Sequence, residues 1–142
     1  MKIHICGLGR IGRHVLRYLD DGFDYDIEFY DKVENIDNLV YLLNYDSVYG
    51  LRKKKYEAGI NKKSIINTET QREFFFCHPD SSSAQLAIDC SGNPFALKEL
   101  VASKFEKIFV TNSTENKLID DYTIANVSEL SKKRVISVSI CD

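Results

Sequence analysis

Near the N-terminus, "CGLGRIGR" sets Gly7, Gly9 and Gly12 as a G-x-G-x-x-G directly after the strand-like "KIHIC" and at the opening of the helix-like "RIGRHVLRYLDDG". Few short patterns restrict a fold more. In that context Gly7 permits a tight turn, Gly9 leaves space for a pyrophosphate beside the backbone, and Gly12 lets the helix lie close on the strand. The helix start adds free N–H groups and the positive end of its dipole. The expectation is a strand–helix–strand unit that grips a dinucleotide by its phosphates.

The rest of the chain alternates in the same way. The first helix pattern places Ile11, Val15, Leu16 and Leu19 near one face, with Gly22 past its end. "DYDIEFYD" reads as the second strand, and "NIDNLVYLLNYDS" as a second helix turning Leu39, Leu42 and Leu43 inward. From about residue 50 to 77 the texture becomes basic and β-prone, with "LRKKKYE", "KSIINTE" and "REFFFC" separated by turn residues such as Gly59 and Asn61; this predicts an antiparallel excursion at a sheet edge. Lysines there discourage edge-to-edge pairing, and part of Phe74-Phe75-Phe76 belongs to the core. "HPDSSSA" is a loop, "QLAIDC" a strand, "PFALKELVASKF" a helix with Pro94 in its first turn, "KIFVT" a strand, and "RVISVSI" a closing strand. "NSTENKLIDDYTIANVSEL" has no clear period. Strands joined by helical crossovers imply an α/β fold of the Rossmann type, doubly wound around a mainly parallel sheet.

Composition narrows the class. The 142 residues fit one domain, expected to span 1–142. A net charge of −2 with 28% charged residues gives no general attraction to nucleic acid or to a membrane surface. Apolar runs are strand-sized, and the first residues enter a strand with no signal-peptide pattern. Cys6, Cys77, Cys90 and Cys141 never form a C-x-x-C pair, which argues against zinc and for reduced thiols in a cytoplasm.

The ribose partner of such a glycine loop is an acid at the end of the second strand, about 20 residues on. Asp31 stands there and reads as the NAD-selecting carboxylate; the adjacent Lys32 would instead welcome the 2′-phosphate of NADP. Of the histidines, His4 and His14 fall in the first strand and helix, where packing or exposure is expected, and His78 lies in a loop near the adenine side.

Several of these segments together resemble one family, glyceraldehyde-3-phosphate dehydrogenase. "GLGRIGR" is similar to its G-F-G-R-I-G-R, and "LVYLLNYDSVYG" to L-A-Y-L-L-K-Y-D-S-V-H-G, which generic dinucleotide folds lack. "LAIDCSG", "KIFVTNS" and "RVISVSICD" resemble V-V-E-S-T-G, K-V-I-I-S-A-P and K-V-I-S-N-A-S-C-T. The matches run in order along the whole chain and cover only the family's N-terminal, cofactor-binding half.

The resemblance implies a glycolytic, NAD-dependent oxidoreductase fold. By it, backbone groups of Arg10 and Ile11 hold the pyrophosphate, Ser91 and Gly92 line the cofactor groove, and Thr111 approaches the nicotinamide side. Cys141 falls on the family's catalytic cysteine, which attacks an aldehyde. The sequence departs from the family where Asp31-Lys32 replaces Asn-Asp, where Cys6 replaces an asparagine, and where Cys77 or His78 stands at an arginine that helps hold the adenine. Beside Cys141, Asp142 replaces a threonine. With the catalytic domain expected to be absent, the chain alone is expected to bind cofactor without turning over substrate, as a homo-oligomer or with a missing catalytic half. The competing reading is a stand-alone, non-catalytic module for NAD or an adenylate.

Overall fold

The computed structural model describes residues 1–33, 35–45, 55–111, 118–123 and 133–138; Cys141 and the basic residues Arg52, Lys53 and Lys54 lie outside them. Strand β1 (Lys2–Cys6) leads into helix α1 (Arg10–Gly22), strand β2 (Asp26–Tyr30) and helix α2 (Ile36–Asn44). Three short strands follow, β3 (Tyr56–Ala58), β4 (Ser64–Asn67) and β5 (Glu73–Phe76). One 3-10 turn (Pro79–Ser81) precedes β6 (Leu86–Asp89), helix α3 (Pro94–Ala102), β7 (Lys107–Val110), β8 (Asp121–Thr123) and β9 (Val135–Val138).

The nine strands among the described residues form one sheet in the order β3-β4-β5-β2-β1-β6-β7-β9-β8. From β5 to β8 every pairing is parallel; β4 is antiparallel to both β3 and β5. The antiparallel excursion is therefore a two-strand flap hung on β5, which itself returns to the parallel sheet beside β2. Chain order reverses at β1, between β2 and β6, and ligands of such sheets lie outside the carboxyl ends of the strands at that point.

Strand alternation sorts the core into two layers. Ile3 and Ile5 face α1 and α2 with Leu16, Leu19, Leu39 and Leu43, while Cys6 and Ala87 face α3 with Leu97 and Leu100. Helices thus cover both faces, as the doubly wound reading expected.

Three details differ from the sequence reading. Ile11 is 52% exposed, because the first turn of α1 stands beyond the carboxyl edge of the sheet, where no layer covers it. Gly22 is inside α1, which ends through the Phe23 N–H on Leu19 O at 3.1 Å. Leu42 is half-buried, leaving Leu39 and Leu43 as the inward leucines of α2.

Helix α1 also buries a polar stripe that hydrophobic periodicity does not register. Arg13, Arg17 and Asp20 are all less than a tenth exposed. Arg17 donates to Leu43 O. Asp20 accepts from Tyr56 Oη at 2.8 Å, Asn67 Nδ2 at 2.7 Å and Arg72 Nη1 at 3.1 Å. Asn44 adds bonds to the backbone of Lys55 and Tyr56. These bonds clamp the flap to α1 and α2, and a buried charge so satisfied holds geometry more than it adds stability. On β5, from which the flap hangs, Phe74 is buried and Phe75 is exposed.

Candidate nucleotide-binding groove

The glycine loop is shaped by contact on two sides and by open space on the third. Gly7 adopts φ +88°, and a Cβ there would lie 2.7 Å from Ser91 Cα. A Cβ on Gly12 would lie 1.8 Å from Gly7 O. Both glycines are required by the protein's own packing: loop against β6, and helix against loop. Gly9 is different. An added Cβ meets no heavy atom within 4 Å, and Gly9 borders the groove.

Gly9 is also the N-cap of α1, with no side-chain cap and no acid in the first turn. The first N–H groups of a helix have no acceptor within it. Arg10 and Ile11, both exposed, begin α1 and present such groups at the loop. An uncapped helix start beside open space suits an anion such as pyrophosphate.

The groove, about 490 Å3, runs from this loop between the end of β2 and the start of α3. Asp31 stands at the end of β2. Its Oδ2 accepts the Leu8 N–H at 2.7 Å and its Oδ1 the Val33 N–H at 2.9 Å. Two backbone bonds fix the carboxylate against the glycine loop, and each oxygen keeps capacity for a further donor. Lys32 lines the same groove from the exposed loop.

The opposite wall begins at Ser91. Its N–H and hydroxyl both donate to Asp89 Oδ1, at 3.0 and 2.6 Å, so the hydroxyl positions the turn. Asn93 caps α3 by accepting the Phe95 N–H at 2.9 Å. Because Leu97 and Leu100 point into the core, Phe95 and Glu99, one turn apart, face outward along the groove. Phe95 is 78% exposed.

Beneath the floor, burial disfavours the charged forms of the titratable groups. Burial raises the Asp89 carboxyl above its ordinary range, opposed by the two Ser91 bonds. Burial pushes the Cys90 thiol up to about 12, and burial with Asp89 nearby raises Cys6 as well. A thiolate is the nucleophile, so neither thiol is an activated one.

Gly7, Gly9, Asp31 and Ser91 therefore meet at one groove. Gly12 lies behind the loop, supporting Gly7. Gly92, at φ +64°, lies in the turn between Ser91 and Asn93. Thr111 stands one strand further on, its N–H and hydroxyl both bonded to Asp89 O at 3.0 Å. Cys141 is outside the described residues. Sequence reasoning did not single out Phe95 and Glu99, although the helical period of "PFALKEL" places both on the face opposite Leu97 and Leu100. Among the described residues no three metal-ligating side chains cluster, and no helix is long and apolar enough to cross a membrane.

Comparison with known proteins agrees with this geometry. The family model of the glyceraldehyde 3-phosphate dehydrogenase NAD binding domain matches residues 1–94. The glyceraldehyde-3-phosphate dehydrogenase of Helicobacter pylori (strain J99) is 35% identical over 96 residues, which is 65% of this chain and 28% of that enzyme. The match thus spans well under half the length of that relative. On its glycine loop, its sheet order and a family match over most of its length, the chain belongs to the family of NAD-binding domains of glyceraldehyde 3-phosphate dehydrogenase.

Proposed function

We propose that residues 1–142 form one dinucleotide-binding domain whose groove at β1 and β6 holds NAD for an aldehyde-oxidising enzyme. The pyrophosphate lies over Gly9 on the N–H groups of Arg10 and Ile11. Asp31 accepts the adenosine ribose hydroxyls and repels a 2′-phosphate, which selects NAD over NADP. Ser91 and Gly92 border the groove, and Thr111 stands on the nicotinamide side. Bound NAD supplies the hydride acceptor. Cys141 is the nucleophile, and it requires a base and an activating environment from beyond these residues, in a catalytic half or an oligomer. The reading places the protein in the cytoplasm, on the glycolytic reaction of its relatives.

One observation carries the binding reading. Gly7 and Gly12 are explained by packing, but among the described residues no heavy atom lies within 4 Å of a Cβ added at Gly9, which borders the groove. A Gly9→Val side chain would fill that space. Calorimetry should show NAD affinity lost while circular dichroism and the melting temperature stay native. Unchanged affinity would move the site elsewhere. For the chemistry, the chain alone should not oxidise glyceraldehyde 3-phosphate with NAD and phosphate; turnover that Cys141→Ser abolishes would show the domain to be catalytically complete.

A further inference from the structure

We propose that Glu99 reads the base of the dinucleotide by accepting the exocyclic 6-amino group of adenine. The inference rests on the reading that the groove holds the adenosine half, and it deepens that reading by naming a specificity residue. With phosphates at Gly9 and ribose at Asp31, the base extends away from the loop between Lys32 and the outer face of α3. That face offers an exposed ring, Phe95, and one turn later a carboxylate, Glu99. A base stacked on Phe95 presents its edge towards Glu99, because residues four apart on a helix are neighbours on its surface.

Glu99 is set to act there. It lines both the groove and an adjoining depression of about 240 Å3 bordered by His78, Pro79 and Ser103. Among the described residues its side chain has no hydrogen-bond or ion-pair partner; beyond the helix's own bonds, Ser103 Oγ donates to its backbone carbonyl at 2.8 Å. An ionised carboxylate accepts and never donates. Facing position 6 of the base, it therefore favours an amino group and disfavours a carbonyl oxygen, while the N1–H beside that oxygen is the one donor a 6-oxo purine offers in its place. Adenine carries an amino group at position 6; hypoxanthine and guanine carry an oxygen there. Glu99 is exposed, so water can solvate its carboxylate when a 6-oxo base is bound, and the discrimination expected is that of one hydrogen bond.

The test titrates the full chain with NAD and with nicotinamide hypoxanthine dinucleotide, which exchanges the 6-amino group and acceptor N1 of adenine for a 6-oxo group and N1–H. Wild-type protein should bind NAD more tightly, by up to ~10-fold, the scale of one hydrogen bond. Glu99→Ala should bring the two dissociation constants together, mainly by weakening NAD. Glu99→Gln, whose amide can accept from an amine or donate to a carbonyl, should also erase the preference while keeping tighter binding than Glu99→Ala. A preference that survives both substitutions overturns the proposal, as does an equal loss for both ligands in Glu99→Ala. If neither dinucleotide binds wild-type protein, the groove reading fails and the proposal with it. If NAD binds and Gly9→Val abolishes it but no base preference exists, the groove reading stands and only the role of Glu99 falls.

Discussion

The floor of the groove, made of glycine-loop backbone and the end of β6, is packed so closely that a methyl group on Gly7 or Gly12 has nowhere to go, whereas the walls are exposed side chains at the ends of β2 and α3. The two regions answer to different constraints. Backbone at contact distance admits glycine and little else, so the floor is fixed by the same packing that holds β1, α1 and β6 together. The walls touch mainly the groove. Lys32, Phe95 and Glu99 are free to change with ligand preference while the fold stays as it is, and Asp31 carries in addition its two bonds to the Leu8 and Val33 backbone. Floor substitutions should therefore act on stability, and wall substitutions on affinity.

The largest effect expected is on the floor. Gly12→Ala places a Cβ 1.8 Å from Gly7 O, a backbone atom that moves only if the loop and β6 move with it. Overpacking of this kind costs about 3 kcal/mol at the upper end of its ordinary range, which is a large part of a small domain's stability. Urea denaturation should show a much lower midpoint. Gly9→Ala, three residues away, should leave that midpoint close to wild type. Equal destabilisation by the two alanines would erase the distinction between floor and walls.

On the wall, Asp31→Ala should weaken NAD by about 1–3 kcal/mol, the scale of an unmade charged hydrogen bond. It should also narrow the preference for NAD over NADP, since a carboxylate next to the ribose repels a 2′-phosphate. The loss of stability should be smaller than for Gly12→Ala, because only the Leu8 and Val33 N–H bonds go with it. Lys32→Ala should change NAD binding little. Tighter binding of NADP than NAD, abolished by Lys32→Ala, would hand the selecting role to the lysine.

The same division explains what could be read from sequence. The sheet, its two helical layers and the glycine loop follow from periodicity and from glycines that packing makes obligatory. Asp31 was legible because the end of β2 is a fixed place relative to that loop. Glu99 and Phe95 carry no motif; their role depends on which face of α3 meets the groove, and this is settled by the burial of Leu97 and Leu100. The polar stripe of α1 was illegible for a further reason. Arg13, Arg17 and Asp20 look like a solvated face, and only the folded-back flap supplies Tyr56, Asn67 and Arg72 to cover Asp20. Partners so distant in sequence leave no local signal.

The smallest effect sharpens the comparison from below the floor. Asp89 is 2% exposed, and burial holds its carboxyl above the ordinary range despite the two Ser91 bonds. A raised folded value means that the folded protein binds this proton at a higher pH than the unfolded chain does. Stability from this group therefore rises as pH falls through the window between the two values, and is lost as pH rises through it. Asp89→Asn has no proton to bind and keeps an oxygen for the Ser91 donors. At pH 7 the variant should match or exceed wild type by at most about 1 kcal/mol, the scale of one hydrogen bond exchanged for another. The gap should close on acidification through the carboxylate range. Glu28 titrates with the opposite sign: burial opposes the bonds from His4 and Ser82, but the net shift is downward, so its contribution is lost as pH falls. That term is common to both proteins and cancels in their difference. NAD affinity should stay within about twofold, since the floor keeps its shape. Urea midpoints of the pair at pH 7 and pH 4 give the answer, and a gap that widens on acidification would show that the buried carboxylate supports the floor through its charge.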